Sequence, residues 1–236
     1  MTIEAHQMQG STPRCRSCGA GLSHEVVDLG MSPLCESFLP ADQLDAMERF
    51  YPLRLLVCAE CCLVQLREYV SPDEIFTEYA YFSSFSDSWV RHALAYCEAM
   101  HDRLGLGASS RVVELASNDG YLLQHFVKLG VPVLGVEPAA NVAKAAEARG
   151  VPTRVDFFGV RLARELAAEG IRADLIAGNN VLAQVPDVND FVAGIAVLLA
   201  QGGVVTIEFP HLERTIAGCQ FDQIYHEHFS YFSLLA

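Results

Sequence analysis

Hydrophobic and polar positions along the chain fall into two regimes. From Arg111 onward, short apolar runs alternate with stretches of helical period. RVVELASNDGYLL reads as a strand, a tight turn and a helix start. VPVLGVEPAANVAKAAEARG repeats that unit, with a strand from Val131 to Glu137 and a helix running to Gly150. A short strand near Pro152 to Val155, a helix from Val160 to Glu169, the strand in ADLIAGNN, the helix DVNDFVAGIAVLLA and the strand VVTIEFP follow. Strand and helix alternating with short links predict right-handed crossovers and a parallel sheet covered by helices on both faces. In such a sheet, ligands sit at the carboxyl ends of the strands. The turn from Ala116 to Gly120, Glu137, the pair Asn179 and Asn180, and Glu208 all fall at such ends. Before Ser71 the pattern is different: VVDLG and YPLRLLV read as short strands around a loop holding Pro33 and Pro40. From Ser71 to Arg103 the period turns helical. The expected division is a small domain over residues 1–70 and an α/β domain over 71–236.

The turn after the first parallel strand carries the first chemical signal. Small, polar and glycine residues (Ala116, Ser117, Asn118, Gly120) let backbone N–H groups and a helix start approach a ligand closely. Glu114 at the strand end is placed to meet a cationic or hydroxyl-bearing part of it. A glycine turn alone is weak evidence. The second strand ends in Glu137, roughly twenty residues on, where Rossmann-like folds place the acid that binds ribose hydroxyls. Together they predict an adenosyl-type ligand.

Charge and cysteine content narrow the picture. Against 16 basic residues stand 29 acidic ones, a net charge of −13, and no basic stripe is present, which argues against nucleic acid or an anionic membrane surface as partner. No apolar run reaches about eighteen residues, and the start MTIEAHQMQGSTPR lacks the layout of a signal peptide, so the expectation is a cytoplasmic protein. Of the 8 cysteines, four form two Cys-x-x-Cys knuckles, Cys15 with Cys18 and Cys58 with Cys61. Four thiolates suit a tetrahedral zinc, and a site closed by four sulfurs is structural rather than catalytic. A redox dithiol and buried free thiols are the alternatives. Cys35, Cys62, Cys97 and Cys219 read as bystanders, small buried hydrophobes.

Two further clusters are ambiguous from residues alone. In EYAYFSSFSDSWV, Tyr79 and Tyr81 alternate with small hydroxyl residues, which fits either an interdomain seam or a pocket wall with polar tips. In QFDQIYHEHFSYF, Tyr225, His226, Glu227 and His228 are adjacent. A histidine oriented by a carboxylate is the usual general base at neutral pH. Metal ligation and simple burial remain open for both histidines, although HEH does not match the His-Glu-x-x-His zinc helix.

Taken in order, the two knuckles, YAYFSSFSDSW, VVELASNDGYLL, GVEPA, NNVLAQVPDVNDFV, IEFP and YHEHFSYFSL resemble the zinc-containing C-methyltransferases of deoxysugar biosynthesis, associated with antibiotic pathways. The resemblance covers essentially the whole chain. It implies a Rossmann-like class I S-adenosylmethionine methyltransferase core behind an N-terminal zinc-binding domain. The implied substrate is a nucleotide-sugar, a TDP-linked 4-keto-6-deoxyhexose methylated on the carbon next to its ketone. It also implies that His228 is the base, that Glu227 orients it or steadies the enolate, and that Tyr225 and Tyr79, with Tyr81 a weaker candidate, line the sugar pocket. On the cofactor side it implies that Glu137, with Pro138 beside it, binds the ribose, that the turn from Ala116 to Gly120 holds the methionine end, and that Asn179 and Asn180 close the site. Two departures from the family carry expectations. Alanine at 116 stands where glycine is usual, and would weaken cofactor binding if that position needs positive φ. Family members also run on past Ala236, so VVTIEFP is expected to be an exposed edge that favours self-association, and activity of this chain is expected to be slow or absent. Three other readings stand beside it. A small-molecule O-methyltransferase has less use for the tyrosine-rich cluster, and a nicotinamide dehydrogenase wants more glycines in the turn. The third is a noncatalytic zinc-knuckle and cofactor-binding module.

Overall fold

The computed structural model describes residues 13–67, 69–71, 75–76 and 79–236. Five parallel strands form its central layer: β4 (Val112–Leu115), β5 (Val133–Val136), β6 (Thr153–Arg154), β7 (Ala173–Asn179) and β8 (Leu199–Glu208), in the order β6-β5-β4-β7-β8. The chain steps outward from β4 to β6, then returns to the other side of β4 through β7. This reversal opens a crevice at the carboxyl ends of β4 and β7. β8 has one strand neighbour, β7, and is an edge among the described residues.

Side-chain alternation along β4 divides the core into two layers. Val112 faces a cluster with Ala93, Cys97, Leu122 and Phe126, supplied by α1 (Asp87–Leu104) and by α2 (Leu123–Lys128) with the turn before it. Val113 and Leu115 face Leu162, Leu166, Phe191 and Ile195 of α4 (Val160–Ala168) and α5 (Val188–Leu198). A short helix, α3 (Ala140–Ala148), follows β5. Ser86 caps α1 by accepting the Trp89 N–H, and Gly105 ends it in the left-handed region at φ 61°. Within the stretch expected to be helical from Ser71, Ile75 and Phe76 are helical and the long helix begins at Asp87. Residues 79–86 run as an irregular strap with one 3-10 turn at Ser83–Phe85, because hydroxyl groups there are used as caps rather than along a helix. Positions 72–74 and 77–78 of that expected helix lie outside the described residues, as do residues 1–12 of the expected first domain.

The N-terminal sheet holds a topological surprise. Strands β1 (His24–Ser32), β2 (Tyr51–Val57) and β3 (Val64–Leu66) pair antiparallel, and the fourth strand is β9 (Ser230–Tyr231), contributed by the segment after the His-Glu-His cluster. Val64 pairs with Tyr231 and Gln65 with Ser230, while the Leu66 N–H donates to the Phe229 carbonyl at 3.0 Å. Leu53, Leu55, Val64 and Leu66 bury against Tyr231 and against Leu212 of α6 (Leu212–Ala217). A division at residue 70 thus does not separate the two sheets, since residues 230–231 belong with the first. No described helix is long and apolar enough to cross a membrane.

Candidate active site

The two cysteine knuckles come together at one end of the N-terminal sheet. Each is a tight backbone turn. In the first, the Gly19 N–H bonds the Cys15 carbonyl at 2.9 Å; in the second, the Cys62 N–H bonds the Cys58 carbonyl at 3.0 Å. Gly19 has φ 76° and Cys62 has φ 62°, so the exposed bystander Cys62 occupies the position that glycine holds in the first knuckle. The four Sγ atoms lie within 4.8 Å of one another, with Cys15 to Cys61 and Cys18 to Cys58 each at 3.5 Å. Sulfurs around a tetrahedral zinc with bonds of ~2.3 Å stand ~3.8 Å apart, so the cluster fits that ion and leaves it no open position. Among the described residues this is the sole group of three or more His, Cys, Asp and Glu side chains with metal-binding spacing, and His226 and His228 are not part of it.

Within the first knuckle, Arg16 joins the zinc end to the rest of the molecule. Its guanidinium donates to the carbonyls of Leu66 at 2.6 Å and Pro186 at 2.8 Å and lies over the Phe229 ring at 5.3 Å. Phe229 is the residue after His228.

A cavity of about 790 Å³ opens at the carboxyl ends of β4, β5 and β7. At the end of the cavity beside β5 the chain after β4 makes a turn with three left-handed residues: Ala116 at φ 56°, Asn118 at 47° and Gly120 at 76°. Glycine is at ease there and asparagine tolerates it, but alanine is strained by about 1–2 kcal/mol. The turn is held by its neighbours. Glu137, 4% exposed, accepts the Asn118 N–H through Oε2 and the Ala139 N–H through Oε1, both at 2.9 Å. Burial raises its carboxyl to about 7, even though these two backbone donors act to lower it. Asn118 ties the strap down, accepting the Ser83 N–H at 2.9 Å and donating to the Tyr81 carbonyl at 3.0 Å. The fully buried Asp119 pairs with Arg149 at 2.9 Å and accepts a short hydrogen bond from Ser84. On α3, Asn141 brackets Tyr79, accepting its N–H at 3.2 Å and donating to its carbonyl at 2.7 Å.

At the other end, the segment before β9 lines the wall. His228 is buried, and its Nδ1 lies 3.0 Å from the Gln223 carbonyl. A carbonyl only accepts, so Nδ1 carries the proton and Nε2 is left with its lone pair, which takes the Tyr225 O–H at 2.8 Å. Burial lowers the His228 pKa to about 4, so the ring is neutral at pH 7. Glu227, 2% exposed, accepts the Tyr79 O–H on Oε2 and the Cys35 S–H on Oε1, each at 3.1 Å, and burial pushes its carboxyl upward. His226 turns away, with Nε2 3.2 Å from the Pro52 carbonyl and its ring edge-on to Tyr51.

Ten of the predicted positions line this one cavity: Tyr79, Ala116, Asn118, Glu137, Pro138, Asn179, Asn180, Tyr225, Glu227 and His228. Tyr81 also lines it, half-exposed, and Tyr79 packs edge-on against it, so the aromatic strap is a pocket wall. Three predicted positions do not. Glu114 shares a face of β4 with Val112 and points beneath Tyr121, fully buried, where burial pushes its carboxyl well above the usual range. Ser117 is fully buried against β5, its Oγ where a side chain on Gly135 would have to stand. Gly120 packs on α3, and a side chain there would meet Val151 and Ala146 at 3.1 to 3.2 Å. Two of the cavity residues that the sequence reading missed bear on the site. Tyr121, directly after the turn, covers Glu114 and accepts Asn179 Nδ2 at 3.4 Å. Cys35, taken for a bystander, is a half-buried partner of Glu227.

Two family models match the chain. Residues 15–76 match the family model described as "Putative zinc binding domain", and residues 89–236 match "Methyltransferase domain". C-methyltransferase NovU of Streptomyces niveus is 37% identical over 220 residues, covering 93% of this chain and 52% of that protein. Ubiquinone biosynthesis O-methyltransferase of Rhizobium etli is 32% identical over 101 residues, 41% of this chain and 40% of that protein. Among solved structures, that of Streptomyces venezuelae DesVI superimposes with a TM-score of 0.43 at 19% identity, over 53% of this chain and 52% of its own. The chain spans about half the length, or less, of the curated relatives it matches. With the second family model matching more than half of its residues around a five-stranded parallel sheet, the chain belongs to the methyltransferase domain family.

Proposed function

We propose that this chain carries the cofactor and base sites of a C-methyltransferase acting next to the ketone of a nucleotide-linked 4-keto-6-deoxyhexose. The Ala116 turn and Glu137 would hold S-adenosylmethionine, which would supply an electrophilic methyl group. The Glu137 carboxylate accepts the ribose hydroxyls, Asn179 lines the same cavity, and the wall of Tyr79, Tyr225 and Glu227 receives the sugar. One observation carries the reading: His228 has its Nδ1 proton committed to Gln223, which leaves Nε2 as a neutral base on the same cavity as the methyltransferase turn.

His228 Nε2 takes the proton from the carbon beside the ketone, and the electron pair of that C–H bond passes into an enolate. The tyrosyl O–H that Nε2 held, that of Tyr225, is released to donate to the developing oxyanion. The enolate carbon would be the nucleophile for the methyl group that bound S-adenosylmethionine supplies, the sulfonium sulfur leaving with the C–S electron pair. Burial makes the His228 imidazolium costly, and the enolate formed beside it supplies compensating negative charge. The four-cysteine cluster takes no part in these steps.

The test is methyl transfer from labelled S-adenosylmethionine to TDP-4-keto-6-deoxyglucose, with the position of the label read by NMR. His228→Gln should lower kcat by about 10²- to 10⁴-fold and leave S-adenosylhomocysteine affinity unchanged. A label on oxygen would favour the O-methyltransferase reading, and unchanged turnover in His228→Gln would remove the base assignment.

A further inference from the structure

Cys35 stands in the loop between β1 and β2, where the N-terminal sheet reaches over the cavity, and its Sγ is 3.1 Å from Oε1 of Glu227, 192 residues away in the chain. The second carboxylate oxygen takes the Tyr79 O–H at the same distance. Both donors are neutral, and each comes from a different segment. A carboxyl group turns easily about its terminal bond, so one donor alone leaves the other oxygen free to swing. Two donors, one on each oxygen, fix the plane. They also favour the ionised state: when Glu227 is protonated one of its oxygens becomes a donor, and a partner must turn its own hydrogen away to accept, a role in which a thiol sulfur is weak. A thiol is a weak donor to neutral groups, and the charge on the acceptor strengthens the bond.

We propose that Cys35 is a positioning residue that keeps Glu227 ionised and aimed into the cavity, so that the zinc-bearing domain supplies part of the methyl-transfer site rather than only a support for it. This rests on the methyltransferase reading above. The thiol itself stays protonated, since burial and the neighbouring Glu227 charge push it upward. The groups that face Glu227 are Cys35 and Glu36 from this loop, Tyr79 from the strap and Tyr225 from its own segment; Glu36 acts against ionisation and the two donors act for it.

The experiment compares Cys35→Ala, which removes the donor, with Cys35→Ser, which keeps one, in the zinc-loaded chain. Cys35→Ala should lower kcat about tenfold with little change in KM for the sugar, and move the acid limb of the rate profile to higher pH. Cys35→Ser should recover most of both. Selective ¹³C labelling of glutamate follows the Glu227 carboxyl without turnover: its midpoint should rise in Cys35→Ala and return toward the parent value in Cys35→Ser. Coincident midpoints in all three proteins would overturn the proposal. A midpoint that rises in Cys35→Ala and returns in Cys35→Ser, while the parent chain transfers no methyl group, would retire the functional reading and leave the positioning of Glu227 standing. If Cys35→Ala loses zinc or melts, the near-isosteric Cys35→Val takes its place in the same comparison.

Discussion

Glu137 and Glu227 are buried to nearly the same extent, 4% and 2% exposed, yet they are held by different means. Glu137 is gripped by two backbone N–H groups from residues close to it in the fold's first two βα units. Glu227 is gripped by two side chains, one from the loop between β1 and β2 and one from the strap. Backbone donors come with the turn and survive most substitutions. Side-chain donors are lost with a single one, and they arrive only when three distant segments have docked. The Glu137 end of the cavity is therefore a local construction and the Glu227 end an assembled one.

The sharpest way to separate the two is to remove the assembly and keep the turn. Cys58→Ser opens the four-sulfur site, whose closure contributes on the order of 10 kcal/mol of apparent folding free energy in small zinc modules. Zinc should fall to background by elemental analysis and turnover by more than about a hundredfold, because β9 and Arg16 carry the disturbance to Phe229 and His228. S-adenosylhomocysteine should still bind, measured by calorimetry. Loss of that binding would show the two ends to be one construction.

Glu137→Gln attacks the opposite end and should weaken S-adenosylhomocysteine by about tenfold while leaving the titration of Glu227 in place. The pH dependence adds a sign. Burial raises Glu137 from 4.5 to about 7, so the folded protein holds this proton more tightly than the unfolded chain does. Its contribution to stability is full below the unfolded value and is lost as pH climbs through about 7. Cofactor affinity runs the other way, since ribose hydroxyls donate to the ionised form, and should tighten between about pH 6 and pH 8. Calorimetry across that range checks it, and the slope should be flat in Glu137→Gln.

The smallest effect is expected from Ala116→Gly. It relieves a left-handed alanine, worth about 1 kcal/mol, and returns a similar amount of freedom to the unfolded chain, so the melting temperature should move by no more than about 2–4 °C. Removing the methyl group from the cavity wall should tighten S-adenosylhomocysteine by less than about fivefold.

This contrast also explains what could be read from the chain. VVELASNDG and GVEPA are contiguous, so their strand, turn and acid declare the parallel sheet and the Glu137 end of the cavity directly. The knuckles were legible for another reason: four cysteines at that spacing are the chemistry itself. Glu114 was misplaced because the strand's alternation sends it to the face of Val112 rather than to the crevice. Tyr121 passed for the start of a helix. Cys35 passed for a bystander because its partner is most of the chain away, and no local pattern records such a pairing. The two residues of β9 are too few to show a period, and their place in the N-terminal sheet depends on tertiary docking alone.

That pairing has a consequence for the order in which the molecule can be made. The first sheet begins to leave the ribosome before any of the parallel strands, yet β3 lacks one neighbour until residues 230–231 have been synthesised, after the whole parallel sheet. Pairing between strands so far apart in sequence is slow to form and leaves an open edge in the meantime. The zinc knuckles can fasten their own end early, but the sheet closes last, and its closure draws Glu227 and His228 into position.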